Sequence, residues 1–176
     1  MGHDGHDDHD HPHDAPEGEA ASTVATFVVH CSDSRREVSD ETGRLIREML
    51  ESAGHPVVGH LVVRDDPEAI RASLSEALDR GAYAIIFTGG TGLGSRDFTF
   101  ETLRPMFDKE ITGFAQMFQY LWFQEHGAPA LSSRALAGVY RHALVFALPG
   151  TPATVKTIMK KLLLPELSQL AVELKR

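Results

Sequence analysis

Ten residues, 88–97, read TGGTGLGSRD and follow the short apolar run Ala84-Ile85-Ile86-Phe87. Four of the ten are glycine: Gly89, Gly90, Gly92 and Gly94. A buried parallel strand that opens into such a loop exposes backbone N–H groups at its carboxyl end, the edge where open α/β sheets bind ligands. Glycine permits positive φ and close approach of a ligand to the backbone. Successive N–H groups form a concavity for an anion, usually a phosphate. A glycine cluster is also compatible with a plain tight turn. The loop is not a P-loop, which ends in Gly-Lys-Ser/Thr, because Ser95-Arg96 follows Gly94. It is not the dinucleotide fingerprint G-x-G-x-x-G/A either, since Gly90-Thr91-Gly92-Leu93-Gly94 has the wrong spacing. Arg96 and Asp97 come at once, with Thr99 and Glu101 close behind. An anion cradle beside a basic residue and a carboxylate is the set that nucleotide chemistry with Mg²⁺ requires.

Two further segments lie at predicted strand ends: His30-Cys31-Ser32-Asp33-Ser34 and Leu148-Pro149-Gly150-Thr151-Pro152. Neighbouring strand ends of a doubly wound sheet form one crevice with the glycine loop. Asp33 suits a helix cap or a metal ligand. In Arg64-Asp65-Asp66, Asp66 precedes Pro67 and reads as a helix cap, which leaves Asp65 for another role. Asp97 suits either a cap for a short helix or the site itself. Cys31 reads as a small core residue, because His30 points to the other side of the strand.

The elements that must position these groups alternate. Residues 24–30, 57–63, 83–88 and 143–148 read as strands. Helices are expected from Ser39-Asp40 to about residue 53 and from Asp66-Pro67 to Gly81, both ended by glycine. A short helix is expected near 99–107 and a longer one over 113–126. Helices over 154–164 and 165–174 close the chain, separated at Pro165. This order implies a parallel sheet with helices on both faces. The helix over 113–126 carries Phe114, Met117, Phe118, Tyr120, Leu121, Trp122 and Phe123, more apolar surface than one core stripe needs, so a subunit contact near Phe118 or Trp122 is expected.

Length and composition fit one soluble domain over residues 23–176, since 42% of the 176 residues are hydrophobic. Residues 1–22 interleave His3, His6, His9, His11 and His13 with Asp and hold almost nothing apolar. Such a tail is expected to be disordered, either a plain solvated segment or a weak site for Zn²⁺ or Ni²⁺. It carries seven of the acidic residues and no Lys or Arg, so the net charge of −8 leaves the domain near neutral. No basic stripe argues for nucleic acid, and no apolar run reaches the ~18–20 residues of a membrane span. With one cysteine and no visible secretory signal, a cytoplasmic location is expected.

Four blocks together resemble the MogA/MoaB family of molybdenum cofactor biosynthesis proteins, and lean toward the MoaB branch. They are TGGTGLGSRD, Phe107-Asp108-Lys109-Glu110-Ile111-Thr112-Gly113-Phe114, Leu131-Ser132-Ser133-Arg134-Ala135 and Leu148-Pro149-Gly150-Thr151-Pro152. The resemblance implies a molybdopterin-binding-like three-layer α/β/α sandwich around a mostly parallel sheet. It implies adenylylation of molybdopterin by ATP with Mg²⁺, releasing pyrophosphate, in a trimer or hexamer that meets other proteins of the same pathway. Matched by position, Thr88, Gly89, Gly90, Thr91 and Gly92 line the phosphate and pterin site. Asp65 and Asp97 match the two reaction aspartates, and as carboxylates both suit Mg²⁺, which prefers oxygen ligands. Ser32, Asp33, Ser133, Pro149 and Gly150 match further binding positions, and Arg96 supplies positive charge. The family usually has Arg-x-x-Ser in the long helix, where this chain has Gln119-Tyr120-Leu121-Trp122. That departure keeps two other readings open: a non-catalytic pterin- or nucleotide-binding protein, and a metal-handling accessory acting through the tail.

Overall fold

The structure, a computed structural model, describes residues 23–32 and 40–176. The expectations for the tail, Asp33, Ser34 and Ser39 therefore lie outside the described residues. Six strands form one sheet: β1 (Thr26–Cys31), β2 (Val57–Val63), β3 (Ala84–Thr88), β4 (Lys109–Glu110), β5 (Leu136–Tyr140) and β6 (Ala143–Leu148), in the order β2-β1-β3-β6-β5-β4. β2, β1, β3 and β6 are parallel; β5 and β4 add antiparallel pairs at one edge. The strands β1, β3 and β6 are buried along their whole length. Their near-continuous Val, Ile, Leu and Phe content is what a sheet covered on both faces requires.

Alternation along those strands feeds two cores. Val28, Ile86 and Phe146 pack under helices α1 (Glu41–Ser52), α4 (Thr112–His126), α5 (Pro152–Ile158) and α6 (Leu164–Leu174). Val29, Phe87 and Val145 pack under α2 (Pro67–Asp79) and α3 (Thr99–Leu103). Three layers result, as expected for the α/β/α class. Asp66 caps α2 by accepting from Glu68 N at 3.1 Å and Ala69 N at 3.0 Å, and Pro67 follows in the first turn. Asp40 caps α1, accepting from Gly43 N at 3.1 Å. His55, next to β2, accepts Val24 N–H on Nδ1 at 3.2 Å, and burial holds its pKa below the usual imidazole value.

Two expectations need correction. Pro165 does not separate two helices. It sits in the first turn of α6, and a π-helical turn (Met159–Leu163) joins α5 to α6. There Leu164 N reaches back five residues to the Met159 carbonyl, so the missing proline N–H leaves the helix axis continuous. The antiparallel hairpin of β5 and β6 was not expected at all. Its two-residue turn places Arg141 at φ 55°, a conformation more usual for Asn, Asp or Gly.

Candidate functional site

The sheet register decides where the loops meet. His30 lies beside Thr88, and Thr88 beside Leu148. The segments after β1, β3 and β6 therefore leave the sheet at one level. Gly89 has φ 89°, and a Cβ there would lie 2.3 Å from the Cys31 carbonyl oxygen. Gly90 has φ 66°, and its Cβ would lie 2.1 Å from Asp65 Oδ2 and 2.4 Å from Thr99 Oγ1. Both positions combine left-handed backbone with a space no side chain fits. Backbone bonds then fix the loop: Gly89 N donates to the Leu148 carbonyl at 3.0 Å, and Thr99 N to the Gly90 carbonyl at 3.0 Å.

The carboxylates have different surroundings. Asp65 is buried, and its Oδ1 accepts from Phe98 N and Thr99 Oγ1, each at 3.2 Å. It docks the start of α3 against the end of β2. Asp97 does not cap α3, whose start carries no side-chain cap. It folds back instead, with Oδ2 accepting from Gly94 N at 2.8 Å.

The loop's other side is held by Arg134, just before β5. Its Nε donates to the Thr91 carbonyl at 2.9 Å and its Nη2 to the Gly92 carbonyl. Its Nη1 donates to Glu101 Oε1 at 2.6 Å, and its guanidinium lies 4.3 Å from the centre of the Phe100 ring. The arginine holds the Glu101 carboxyl below its ordinary pKa, against a smaller opposing effect of burial. Arg134 stands in the sequence block that carries the resemblance, but nothing local marks it as a clamp.

These pieces enclose a cleft of about 310 Å³, lined by Gly89, Gly90, Thr91, Gly92, Asp97, Ser132, Ser133, Arg134, Pro149 and Gly150. Eight of the residues expected at the site therefore come together. Four others sit differently. Thr88 is fully buried with its hydroxyl on the Pro149 carbonyl at 3.1 Å, so it shapes the cleft without lining it. Asp65 stands behind Gly90. Ser32 is half-buried, with its N–H on the Val63 carbonyl at 3.0 Å. Arg96 is exposed on the loop and outside the lining. Gln119 Nε2 donates to the Ser133 carbonyl. Trp122 stacks on Phe118 at 6.1 Å between ring centres and meets the His126 ring at 3.8 Å, tilted by 52°. Neither of the two departures in the long helix lines the cleft.

A polar node flanks the cleft on the α1 side. Asp40 Oδ1 meets His30 Nδ1 at 2.6 Å. Asp40 Oδ2 lies 2.6 Å from His60 Nε2, without good hydrogen-bond alignment. Two residues on, Thr42 Oγ1 donates to the Gly150 carbonyl at 3.0 Å. On the opposite face, burial pushes the Cys31 thiol up to about 12, against a weaker lowering by its Thr99 hydrogen bond. That thiol is a packing group and no nucleophile at neutral pH.

Among the described residues, no three His, Cys, Asp or Glu side chains converge to hold a metal. Mg²⁺ needs less from a protein, often one or two carboxylates with phosphate oxygens completing its shell. Asp97 at the cleft wall, with Asp65 Oδ2 turned toward Gly90, provides hard oxygen donors of that kind. The residues fit such an ion when a phosphate brings the remaining ligands.

Residues 22–169 match the family model described as a probable molybdopterin binding domain. The molybdenum cofactor biosynthesis protein B of Bacillus subtilis is 38% identical over 160 residues, 90% of this chain and 94% of that protein. The protein of the same name from Halalkalibacterium halodurans is 40% identical over 158 residues, 89% of this chain and 93% of that one. Among solved structures, the tungsten cofactor synthesizing protein MoaB from Pyrococcus furiosus superposes with a TM-score of 0.83 at 32% identity, covering 92% of this chain and all of that one. With the fold and the match over residues 22–169 in agreement, the chain belongs to the molybdopterin-binding family of molybdenum cofactor biosynthesis proteins and is of the MoaB type.

Proposed function

We propose that the chain adenylylates molybdopterin: the terminal phosphate of the pterin attacks the α-phosphorus of ATP, and pyrophosphate leaves. The observation that carries this reading is the cleft itself. It joins backbone from the glycine loop, the Asp97 carboxylate, Ser133 and the Pro149-Gly150 turn at the carboxyl edge of the sheet.

Phosphoryl chemistry of this kind asks for no covalent nucleophile from the protein. It asks for two polyanions held in line and for charge stabilisation in a shaped, water-poor site. The loop N–H groups bind phosphate oxygens, and Ser133 and Gly150 orient the pterin end. Arg96 offers positive charge from the outer side of the loop. Asp97 alone would repel a phosphate, so a carboxylate in this position favours substrate that arrives with a divalent cation. Mg²⁺, when bound, neutralises charge on the transferring group. Asp97, with Asp65 behind it, would hold it. Gln119 and Trp122 brace Ser133 and the α4 core outside the lining, which supports retained activity over a purely binding role.

The same proposal includes a homo-oligomer, trimeric or hexameric. Met117, Tyr120 and Phe123 of α4 are 52%, 58% and 59% exposed, on a face that a subunit contact would cover. Incubating the protein with molybdopterin, ATP and Mg²⁺, and assaying pyrophosphate and adenylylated pterin, tests the activity. Pterin binding without pyrophosphate release would leave a binding protein and end the enzymatic reading.

A further inference from the structure

We infer that Arg134 is a positioning residue that sets the glycine loop for phosphate, and that it is not itself a ligand of the anion. The inference rests on the reading of the cleft as a phosphate site and adds the device that shapes it. An anion cradle works only when its N–H groups face the ligand and its carbonyls are turned elsewhere. Flexible glycines do not guarantee that orientation. Arg134, 43 residues away in sequence, turns two consecutive carbonyls, those of Thr91 and Gly92, toward itself by donating a hydrogen bond to each. In a trans peptide unit the C=O and N–H point to opposite sides, and no cis bond is present among the described residues. The amides of Gly92 and Leu93 therefore face away from the guanidinium.

Arg134 is in turn fixed on its remaining sides. Glu101 takes Nη1 and Nη2, at 2.6 and 3.3 Å, and the Phe100 ring covers one face of the guanidinium at 4.3 Å. A planar fork with five donors suits this combination of two carbonyls, a carboxylate and an aromatic face; a lysine ammonium does not. The paired Glu101 also cancels most of the charge Arg134 would show to a ligand. The positive charge offered to a phosphate then comes from elsewhere, while Arg134 contributes geometry.

Three variants separate the two roles: Arg134→Gln, Arg134→Lys and Glu101→Gln. Two measurements are made on each, ATP-Mg²⁺ binding by titration calorimetry and amide hydrogen exchange of residues 88–97 without ligand. A positioning role predicts faster loop exchange in Arg134→Gln and Glu101→Gln. It predicts ATP binding weakened roughly tenfold or more in Arg134→Gln, on the scale of lost charge-assisted hydrogen bonds. Arg134→Lys should resemble Arg134→Gln, and Glu101→Gln should weaken binding by roughly two- to fivefold, as an ion pair with a half-exposed carboxylate allows. A directly ligating Arg134 predicts the opposite sign for Glu101→Gln, because removing a competing carboxylate would tighten ATP, and predicts rescue by lysine. Tighter binding in Glu101→Gln, or unchanged loop exchange in both neutral variants, overturns the inference. Faster exchange in a protein whose wild type binds no ATP would keep the clamp and defeat the phosphate reading instead.

Discussion

The glycine loop and helix α4 end differently. Between residues 88 and 99 the chain supplies its own partners: Asp97 for Gly94, Arg134 for Thr91 and Gly92, and Asp65 for Phe98 and Thr99 at the start of α3. Along α4 it leaves Met117, Tyr120 and Phe123 more than half exposed. The loop is finished from within, so its shape exists before any ligand arrives, and binding needs little reorganisation. The helix is unfinished, and burying its outer face requires something beyond one copy of the chain. Preorganised polar geometry belongs to the proposed chemistry; uncovered apolar surface belongs to the proposed assembly.

The comparison is broken most severely at Asp97. Asp97→Asn keeps an oxygen acceptor for Gly94 N–H but loses the charge. We expect the fold to survive and turnover to fall by roughly 10²-fold or more, the scale for losing one electrostatic stabiliser. Steady-state pyrophosphate release measures it; a wild-type rate would reduce Asp97 to a fastener of the loop through its bond to Gly94 N.

Gly90→Val attacks preorganisation itself. A side chain at φ 66° must displace Asp65 Oδ2 and Thr99 Oγ1. Overpacking at such a site costs about 1–3 kcal/mol, concentrated where α3 docks. Molybdopterin binding should weaken about tenfold while far-ultraviolet circular dichroism stays native. Unchanged affinity by titration would show that the loop is only a turn.

For α4 the corresponding break is Phe123→Glu. Phe118, expected from sequence near a subunit contact, is 1% exposed and belongs to the core. Trp122 stacks against it, so a charge at either would disturb folding as well as assembly. Phe123 is 59% exposed, so a charge there should shift the oligomer to smaller species with little change in melting temperature. Multi-angle light scattering decides. A wild-type monomer at micromolar concentration would remove the proposed contact.

How much of this was legible beforehand follows the same division. Strong periodicity and terminal signals announced the parallel strands and the capped helices; Asp66 before Pro67 is the clearest case. The glycine loop announced itself because glycine is the residue such a backbone needs. The hairpin of β5 and β6 gave no such signal, since Arg141-His142 turns the chain without Gly or Asn. β4 is two exposed residues and owes its pairing to β5. The Arg134 clamp and the Asp40 node with His30 and His60 join residues 10 to 43 positions apart. Such contacts depend on register, which a single sequence does not reveal. Likewise the sequence showed that α4 is too apolar for one stripe, but not that Phe118 faces inward and Met117 outward.

The smallest effect sharpens the contrast through pH. Arg134 holds the Glu101 carboxyl below its ordinary value of 4.5, so the folded protein binds that proton more weakly than the unfolded chain does. The pair's stabilisation is therefore complete above pH 4.5 and is lost as pH falls through the lowered folded value. Glu101 is 54% exposed at its side chain, which limits the contribution to about 0.2–1 kcal/mol. Urea unfolding of wild type and Glu101→Gln should differ by that amount at pH 7 and converge in acid. His55, which must be neutral to accept from Val24 N–H, also loses stability as pH falls below 6.5. It does so equally in both proteins, so it drops out of the difference. Phe123→Glu should show no convergence with wild type in the Glu101 window beyond the neutralisation of its own new carboxylate. A wild-type advantage over Glu101→Gln that persisted unchanged to pH 3 would mean that Glu101 supports the loop by packing alone, and that the loop is less electrostatically finished than its contacts indicate.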